Sequence, residues 1–313
     1  MSSLVWGPPM LILLVGTGLF LTIRLRGLQV RAIGHAIKIL FTKEKDDKGD
    51  ISQFSALMLS LGATVGIGNI VGVATAIALG GPGAIFWMWI TGIVGMATKY
   101  SEGILAVKYR EEGSNGYKGG AMYYITKGLG MPKLGMAFAI FTIIASFGTG
   151  NMTQANAVSG VLLDQANIPT WITGIVLVVL TGAVILGGIK SMGKFTSYFS
   201  PVMVLLYIIT AFFIIITNFD RVPGAFGLIF DYAFAPFAAA GGFAGAAVAA
   251  AIRMGVSRGL FSNEAGLGSS AIVAAAAKTN DPVKQALVSM LQTLIDTLIV
   301  CTMKAPVILM AKV

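Results

Sequence analysis

The residues best placed to do chemistry in this sequence are glycines and one asparagine inside an apolar stretch. The run Gly62–Gly72 reads GATVGIGNIVG and lies in the middle of Gln53–Ala78, which is long enough to cross a bilayer. Closely spaced glycines weaken a helix, and non-helical backbone at that depth is tolerated only where it is buried or lines a wet cavity. An interrupted helix presents free amides to an anion and free carbonyls to a cation. We therefore predict that Gly66–Asn69 forms a binding site for a zwitterion and a cation.

Polar side chains in other apolar stretches add to this prediction. Phe147, Asn151 and Gln154 share one helical face by their i, i+4, i+7 spacing, although hydrogen bonding between helices would explain each of them equally well. Glu102 and Asp296 are carboxylates inside apolar stretches, where an unpaired charge is costly, so a functional role is expected. Glu102 lies near the end of its stretch, so an interfacial position is the alternative.

A second weak point is the run Ala240–Gly245, which reads AGGFAG and includes Gly242 and Phe243. Its glycines would loosen a helix in the same way, here beside an aromatic side chain. We predict a second interruption at this run.

Covalent and metal chemistry have little support in this sequence. Cys301 is the single cysteine and His35 the single histidine, which leaves no disulfide and almost no scope for a metal cluster or a catalytic triad. The glycine spacing G-x-G-x-x-x-G differs from the dinucleotide-binding G-x-G-x-x-G, and no strand precedes it. We predict neither an enzyme nor a bound cofactor.

The composition indicates what kind of element must hold these residues. Charged residues make up 11% of the 313 residues, hydrophobic residues 56%, and mean hydropathy is +0.84. Ordinary globular domains carry roughly 25% charged residues, and a soluble chain of this length could not cover its surface with fewer than half of that. The composition therefore excludes a cytosolic enzyme, a nucleic-acid binder and a disordered protein. It predicts an all-α polytopic membrane protein with one transmembrane domain over residues 1–313.

Eight apolar stretches have about the 20 residues that a helix needs to cross a bilayer. They are Val5–Ile23, Gln53–Ala78, Ala84–Val107, Leu134–Leu163, Trp171–Leu186, Phe195–Thr217, Phe234–Ile252 and Gln285–Met310. The run Gly259–Ala277 is apolar but rich in Gly, Ser and Asn, and we predict a helical loop or re-entrant segment there. The first stretch lacks a basic leader and a small-residue cleavage site, so it is not a cleavable signal.

The positive residues decide the orientation. At least sixteen Lys and Arg residues fall in the loops of one side, whereas the opposite loops contain only Arg221. Because basic loops stay in the cytoplasm, the N-terminus is predicted to lie outside the cell membrane. The net charge of +9 is thereby explained by topology, and no nucleic-acid partner is needed.

Four runs resemble motifs of the alanine or glycine:cation symporter family and occur in family order over essentially the whole chain. They are Gly66–Thr75 (GIGNIVGVAT), Gly80–Trp89 (GGPGAIFWMW), Gly148–Gln154 (GTGNMTQ) and Arg258–Ser269 (RGLFSNEAGLGS). Members of that family look like the amino acid–polyamine–cation superfamily. The resemblance implies an inverted-repeat transporter fold with discontinuous helices.

The implied fold has ten core helices in two inverted five-helix repeats, preceded by one extra helix. Residues 1–25 would be the extra helix, 53–217 the first repeat and 234–313 an incomplete second repeat. Family members carry three further helices, so we expect a C-terminally truncated second repeat, which puts the activity of this exact chain in question.

The resemblance also implies roles for single residues. The backbone of Gly66–Gly68, including Ile67, would hold a substrate carboxylate, Phe243 would cover a small side chain, and Glu102 would support the free backbone of the second broken helix. Further substrate contacts are implied for Asn69, Phe147, Asn151, Gln154 and Gly242. Cation contacts are implied for Gly62, Thr64, Val65, Asn69 and Asp296.

The expected function is secondary active symport of alanine or glycine with Na⁺, by alternating access around a site in the middle of the bilayer. H⁺ is the alternative coupling ion. The alternative function is a passive channel or pore for small solutes, although the sequence contains no repeated selectivity filter.

Overall fold

Helices dominate the chain, because apolar stretches in a bilayer must satisfy their backbone hydrogen bonds internally. The computed structural model describes residues 7–42, 48–114, 116–234 and 244–311. Its helices are α1 (Pro8–Arg24), α2 (Leu28–Arg31), α3 (Ile33–Leu40), α4 (Gln53–Thr64), α5 (Val73–Gly80), α6 (Ala84–Lys108), α7 (Ala121–Gly128), α8 (Pro132–Ala145), α9 (Thr153–Ala166), α10 (Thr170–Ile185), α11 (Gly188–Thr217), α12 (Val222–Phe234), α13 (Ala244–Asn263), α14 (Ser269–Ala275), α15 (Pro282–Thr293) and α16 (Thr302–Ala311).

Shorter elements join some of these helices. Turns of π-helix at Gly68–Gly72, Ser146–Met152 and Leu294–Cys301 lead into α5, α9 and α16. A single turn of 3₁₀ helix, Phe219–Arg221, precedes α12. Two strands, Glu111–Gly113 and Gly116–Lys118, form an antiparallel hairpin after α6.

Several helix starts follow from local sequence. Proline opens α1, α8 and α15, where its missing N–H has no helical partner to lose. Ser52 caps α4 because its Oγ accepts a hydrogen bond from the Ser55 amide at 3.0 Å. Asp281 caps α15 in the same way, and its Oδ1 lies 2.8 Å from the Val283 amide nitrogen.

The apolar helices fit an all-α membrane protein. By length and composition, three described helices can cross a bilayer, and they are Pro132–Ala166, Gly188–Thr217 and Pro282–Ala311. The bent pair Gln53–Thr64 and Gly68–Gly80 makes a fourth if it is counted as one span, and Pro9–Arg24 and Thr170–Ile185 are shorter apolar helices. Large side chains such as Val178 and Phe213 point outward, 72% and 67% exposed, as expected for faces that contact lipid. The full set of eight spans remains a prediction.

The long helix α6 forms the centre of the packing, and small residues let its neighbours approach closely. A Cβ added to Gly255 of α13 would lie 2.3 Å from the Ala84 carbonyl oxygen. A Cβ on Gly103 would lie 2.8 Å from the Cα of Ala286 in α15. Larger residues at these glycines would therefore push the helices apart.

Two segments differ from the sequence-based expectation. The stretch after the sixth span was expected to be a loop, but it contains α12, whose Ala225 and Ile229 are buried against apolar side chains of α16. The predicted re-entrant run Gly259–Ala277 consists of the last turn of α13, a non-helical break and α14. Residues 235–243 lie outside the described residues, and with them Gly242 and Phe243.

Candidate functional site

The predicted interruption of the second apolar stretch is confirmed. Helix α4 ends at Thr64, and Val65 has extended backbone with φ −74° and ψ 106°. The helix axes on the two sides of the break differ by 53°. Two amides at the break donate to side chains. Gly66 N–H donates to Asn69 Oδ1 at 2.9 Å, and Ile67 N–H donates to Gln154 Oε1 at 3.4 Å. The stretch therefore leaves the helical hydrogen-bond pattern where the glycines predicted it, and side chains accept from its amides.

A second break lies between α13 and α14, at Glu264–Gly268. Gly266 and Gly268 have φ of +88° and +74°, in the left-handed region that favours glycine. Glu264 also lies there, with φ +55°. This break ends a helix at closely spaced glycines, the kind of interruption predicted for the AGGFAG run.

The two breaks meet inside the protein. A Cβ on Gly68 would lie only 3.3 Å from the Cα of Ser262 in the last turn of α13. The amide nitrogen Nδ2 of Asn69 donates to Ser262 Oγ at 3.1 Å. Glycine at position 68 thus allows a close approach of the two interrupted helices.

A buried carboxylate, that of Asp296, also lies at this junction. Asp296 is 0% exposed and lies in the π-helical turn Leu294–Cys301, a type of distortion frequent at functional sites. Its Oδ1 accepts from Asn69 Nδ2 at 2.9 Å, and its Oδ2 accepts from Ser262 Oγ at 2.8 Å and Thr297 Oγ1 at 2.9 Å. Cys301 completes the junction, with its Sγ 3.3 Å from Asn69 Nδ2.

Hydrogen bonds extend this cluster to the end of α4. Gln292 Nε2 donates to Thr64 Oγ1 at 2.9 Å and to the Asn263 carbonyl at 3.2 Å. Asn263 Nδ2 in turn donates to Thr297 Oγ1 at 3.1 Å. The side-chain oxygen Oε1 of Gln292 is buried and has no hydrogen-bond partner among the described residues. It is therefore available to accept a hydrogen bond or to bind a cation.

A cavity of about 220 Å³ lies between the two breaks and the fourth apolar stretch. It is lined by Ala63, Thr64, Gly68, Gly150, Gln154, Phe261, Glu264 and Leu267. Pockets for drug-sized ligands are typically larger, roughly 300–1,000 Å³. The cavity therefore suits a small solute.

The break before α14 is held by a buried ion pair on α6. Glu102 Oε1 accepts a hydrogen bond from the Gly268 amide at 2.9 Å. The ammonium of Lys99, 0% exposed, lies 3.9 Å from Glu102 Oε2 and donates to Ser270 Oγ at 2.8 Å. The carboxylate and the ammonium together fix the first turn of α14.

The remaining predicted residues do not line the cavity, except for Gln154. Gly62 faces α11, since a Cβ there would lie 2.9 Å from Ser200 Oγ, whereas Val65 is buried at the break. Phe147 is 66% exposed, outside the cavity. Asn151 is exposed and, with Gln154, lines a larger, mostly apolar groove between α9 and α10.

Residues of one motif were missed as site residues. Phe261, Ser262, Asn263 and Glu264 belong to the run RGLFSNEAGLGS, for which the sequence predicts a helical loop or re-entrant segment. The signal was present, because small polar residues interrupt an apolar run there as they do at Gly62–Gly72. Their pairing with Asn69 and Asp296 depends on helix packing.

Comparison with known proteins identifies the family. The family model of the sodium:alanine symporter family matches residues 1–313. The chain belongs to the sodium:alanine symporter family. This is a family of membrane transporters, in agreement with the apolar helices.

Individual relatives are similar over nearly the whole chain. The sodium/alanine symporter AgcS of Methanococcus maripaludis is 53% identical over 99% of this chain and 69% of its own length. An uncharacterized transporter of Haemophilus influenzae is 51% identical over 99% of this chain and 68% of its own length. A probable sodium/glutamine symporter of Bacillus subtilis, GlnT, is 42% identical over 98% of this chain and 64% of its own length. The chain thus spans about two thirds of the length of these relatives.

Proposed function

We propose that the protein couples the uptake of a small neutral amino acid, alanine or glycine, to Na⁺ in the cell membrane. The observation that carries this proposal is the meeting of two interrupted helices with the buried carboxylate of Asp296. Such a junction offers amides to an anion and oxygens to a cation at one place. Membership of a sodium:alanine symporter family supports the same conclusion.

The substrate would lie in the cavity between the two breaks. Its carboxylate would approach the amides of Gly66–Gly68, the first two of which donate to Asn69 and Gln154 in this structure. These amides lie at the N-terminal end of the half-helix that leads into α5, where the helix dipole favours negative charge. Its ammonium would face Glu264, whose side chain lines the same cavity. Opposite charges at the two sides of a cavity of about 220 Å³ match a small zwitterion and leave little room for a long side chain.

The cation would sit at the cluster around Asp296. Na⁺ is bound by carboxylate, hydroxyl, amide and carbonyl oxygens, and Asp296, Thr64, Thr297 and Gln292 supply such oxygens. A cation there would offset the cost of burying a carboxylate, which is large for an unpaired charge in the membrane. Because Asn69 contacts both the first break and Asp296, occupancy of one site would favour occupancy of the other.

Transport would proceed by exposure of this central site to one side of the membrane and then to the other. In inverted-repeat transporters the repeats rock around a fixed site near the midplane. The basic loops are predicted to face the cytoplasm, with the N-terminus outside. Extracellular Na⁺ would then enter with its substrate and drive uptake.

Transport in proteoliposomes tests the proposal. Reconstituted protein is expected to accumulate labelled alanine above equilibrium with an inward Na⁺ gradient and to stop when the gradient is collapsed. Empty liposomes are the control. Uptake that is indifferent to both Na⁺ and H⁺ gradients would end the symport proposal in favour of a passive pore.

The single cysteine allows a binding test that does not require turnover. Cys301 lies against Asn69 in the candidate cation cluster and is 1% exposed. Na⁺ is expected to slow its alkylation, and alanine together with Na⁺ to slow it further, whereas choline would have no effect. Equal rates in Na⁺ and choline would argue against a cation at this cluster.

A further inference from the structure

Arg110, just beyond the end of α6, binds four backbone carbonyl oxygens. Its Nη1 donates to Ala275 and Ala277 at 3.0 and 2.7 Å. Its Nη2 donates to Lys48 and Thr279 at 2.9 and 2.6 Å. A planar guanidinium with a fixed fork of donors is suited to hold several acceptors at once.

The four carbonyls belong to two segments that also pair with each other. One segment, residues 48–51, precedes α4, and the other, residues 275–279, follows α14. Asp50 N–H donates to Ala276 at 2.8 Å and Lys278 N–H to Ile51 at 2.7 Å, so the segments form a short parallel bridge. The backbones touch, since a Cβ on Gly49 would lie 2.4 Å from the Ala277 carbonyl oxygen.

These segments are the far ends of the two half-helices that flank the candidate site. The near end of α4 contributes Ala63 and Thr64 to the cavity, and the break before α14 contributes Glu264 and Leu267. From there both half-helices run toward the end of the bundle with the basic loops. Arg110 therefore holds α4 and α14 together at this end of the bundle. The two helices would have to separate there for the cavity to open.

We propose that Arg110 is a positioning residue that keeps the site closed on the predicted cytoplasmic side. Release of its carbonyls separates the start of α4 from the end of α14 and opens a path to the cavity. In the closed state α14 is held at both ends, by Glu102 of α6 at Gly268 and by Arg110, just after α6, at Ala275. This inference rests on the proposed function for its meaning, but its test does not require transport.

Hydrogen–deuterium exchange tests the clamp directly. Arg110→Ala is expected to speed exchange of the amides of Asp50, Ile51, Lys278 and Thr279 by about ten- to a hundredfold, the equivalent of losing one hydrogen bond to a charged group. Arg110→Lys should restore little, because an ammonium lacks the fork geometry. Lys108→Ala, an exposed basic residue two positions earlier, is the matched control and should change nothing.

Gly49→Ala provides a second variant that keeps the arginine. Gly49 has φ +147°, and an added Cβ would collide with the Ala277 carbonyl. The variant should speed exchange at the same amides as Arg110→Ala. Unchanged exchange in Arg110→Ala would overturn the clamp, whatever Gly49→Ala shows.

Sided labelling of Cys301 tests whether the clamp controls access. A membrane-impermeant methanethiosulfonate, added to inverted membrane vesicles, is expected to modify Cys301 about tenfold faster in Arg110→Ala than in the unaltered protein. In intact cells the same comparison should show no acceleration. Faster amide exchange without faster labelling in inverted vesicles would reduce the clamp to a structural contact and overturn the proposal. Neither readout needs substrate, so failure of Na⁺-driven uptake would contradict the proposed function alone.

Discussion

The side-chain amide of Asn69 lies 2.9 Å from Oδ1 of Asp296, a residue 227 positions later in the chain. The same side chain accepts a hydrogen bond from the Gly66 amide at the first break. One asparagine therefore links the exposed backbone of an interrupted helix to the buried carboxylate. This link is the physical basis on which substrate and cation binding would be coupled.

Replacing Asp296 is expected to impair cation binding most. Asp296→Asn keeps the size of the side chain but removes the buried negative charge, and the apparent Na⁺ affinity should fall at least about tenfold, or ~1.4 kcal/mol. Alanine uptake measured against Na⁺ concentration checks this. The control is Asp220→Asn, since Asp220 is exposed on the 3₁₀ turn. An unchanged Na⁺ dependence would remove Asp296 from the cation site.

Gly68 is expected to tolerate a large side chain poorly. In Gly68→Leu the added atoms would meet Ser262, whose Cα lies 3.3 Å from an ideal Cβ, and would crowd the amides of the break beside it. Substrate binding should be lost while membrane insertion is kept. Comparing Gly68→Ala with Gly72→Ala separates crowding from helix propensity, because an ideal Cβ at Gly72 meets nothing within 4 Å. Gly68→Ala should weaken alanine binding and Gly72→Ala should not; normal affinity in Gly68→Leu would refute a backbone cradle.

Gln154 is expected to contribute to substrate affinity more than to folding. Its Oε1 contacts the Ile67 amide at 3.4 Å and its side chain lines the cavity. Gln154→Ala should raise the KM for alanine at least about threefold, since a hydrogen bond contributes ~1 kcal/mol. Expression should stay near normal, as it should for Gln165→Ala, an exposed position in the same helix. If affinity and expression fall together, Gln154 is a packing residue.

The Lys99–Glu102 pair should act as a unit in stability. Either Lys99→Met or Glu102→Gln leaves a buried partner without compensation, and each should lower the free energy of unfolding by about 3–5 kcal/mol. The double variant should lose clearly less than the sum of the two, which thermal unfolding in detergent can measure. Additive losses would mean that the two groups do not compensate each other in the folded protein.

The site was partly predictable because some of its features are local. Three glycines within seven residues at Gly66–Gly72 weaken a helix wherever it packs, so the first break followed from the sequence. The break at Glu264–Gly268 lies in the run for which the sequence predicts a helical loop or re-entrant segment, and the interruption predicted at the AGGFAG run stays a prediction. Of these two runs, Glu264–Gly268 interrupts a helix, whereas most of Ala240–Gly245 lies outside the described residues.

The helical membrane class and the position of the first break follow from local sequence, because hydropathy and helix propensity depend on neighbouring residues. The tertiary structure decided which distant groups meet: Ser262 and Asp296 at Asn69, Gly268 at Glu102, and four carbonyls at Arg110. These partners come from helices far apart in the chain. Their meeting depends on how small residues let α6, α13 and α15 pack, and the spacing within any one helix does not contain that information.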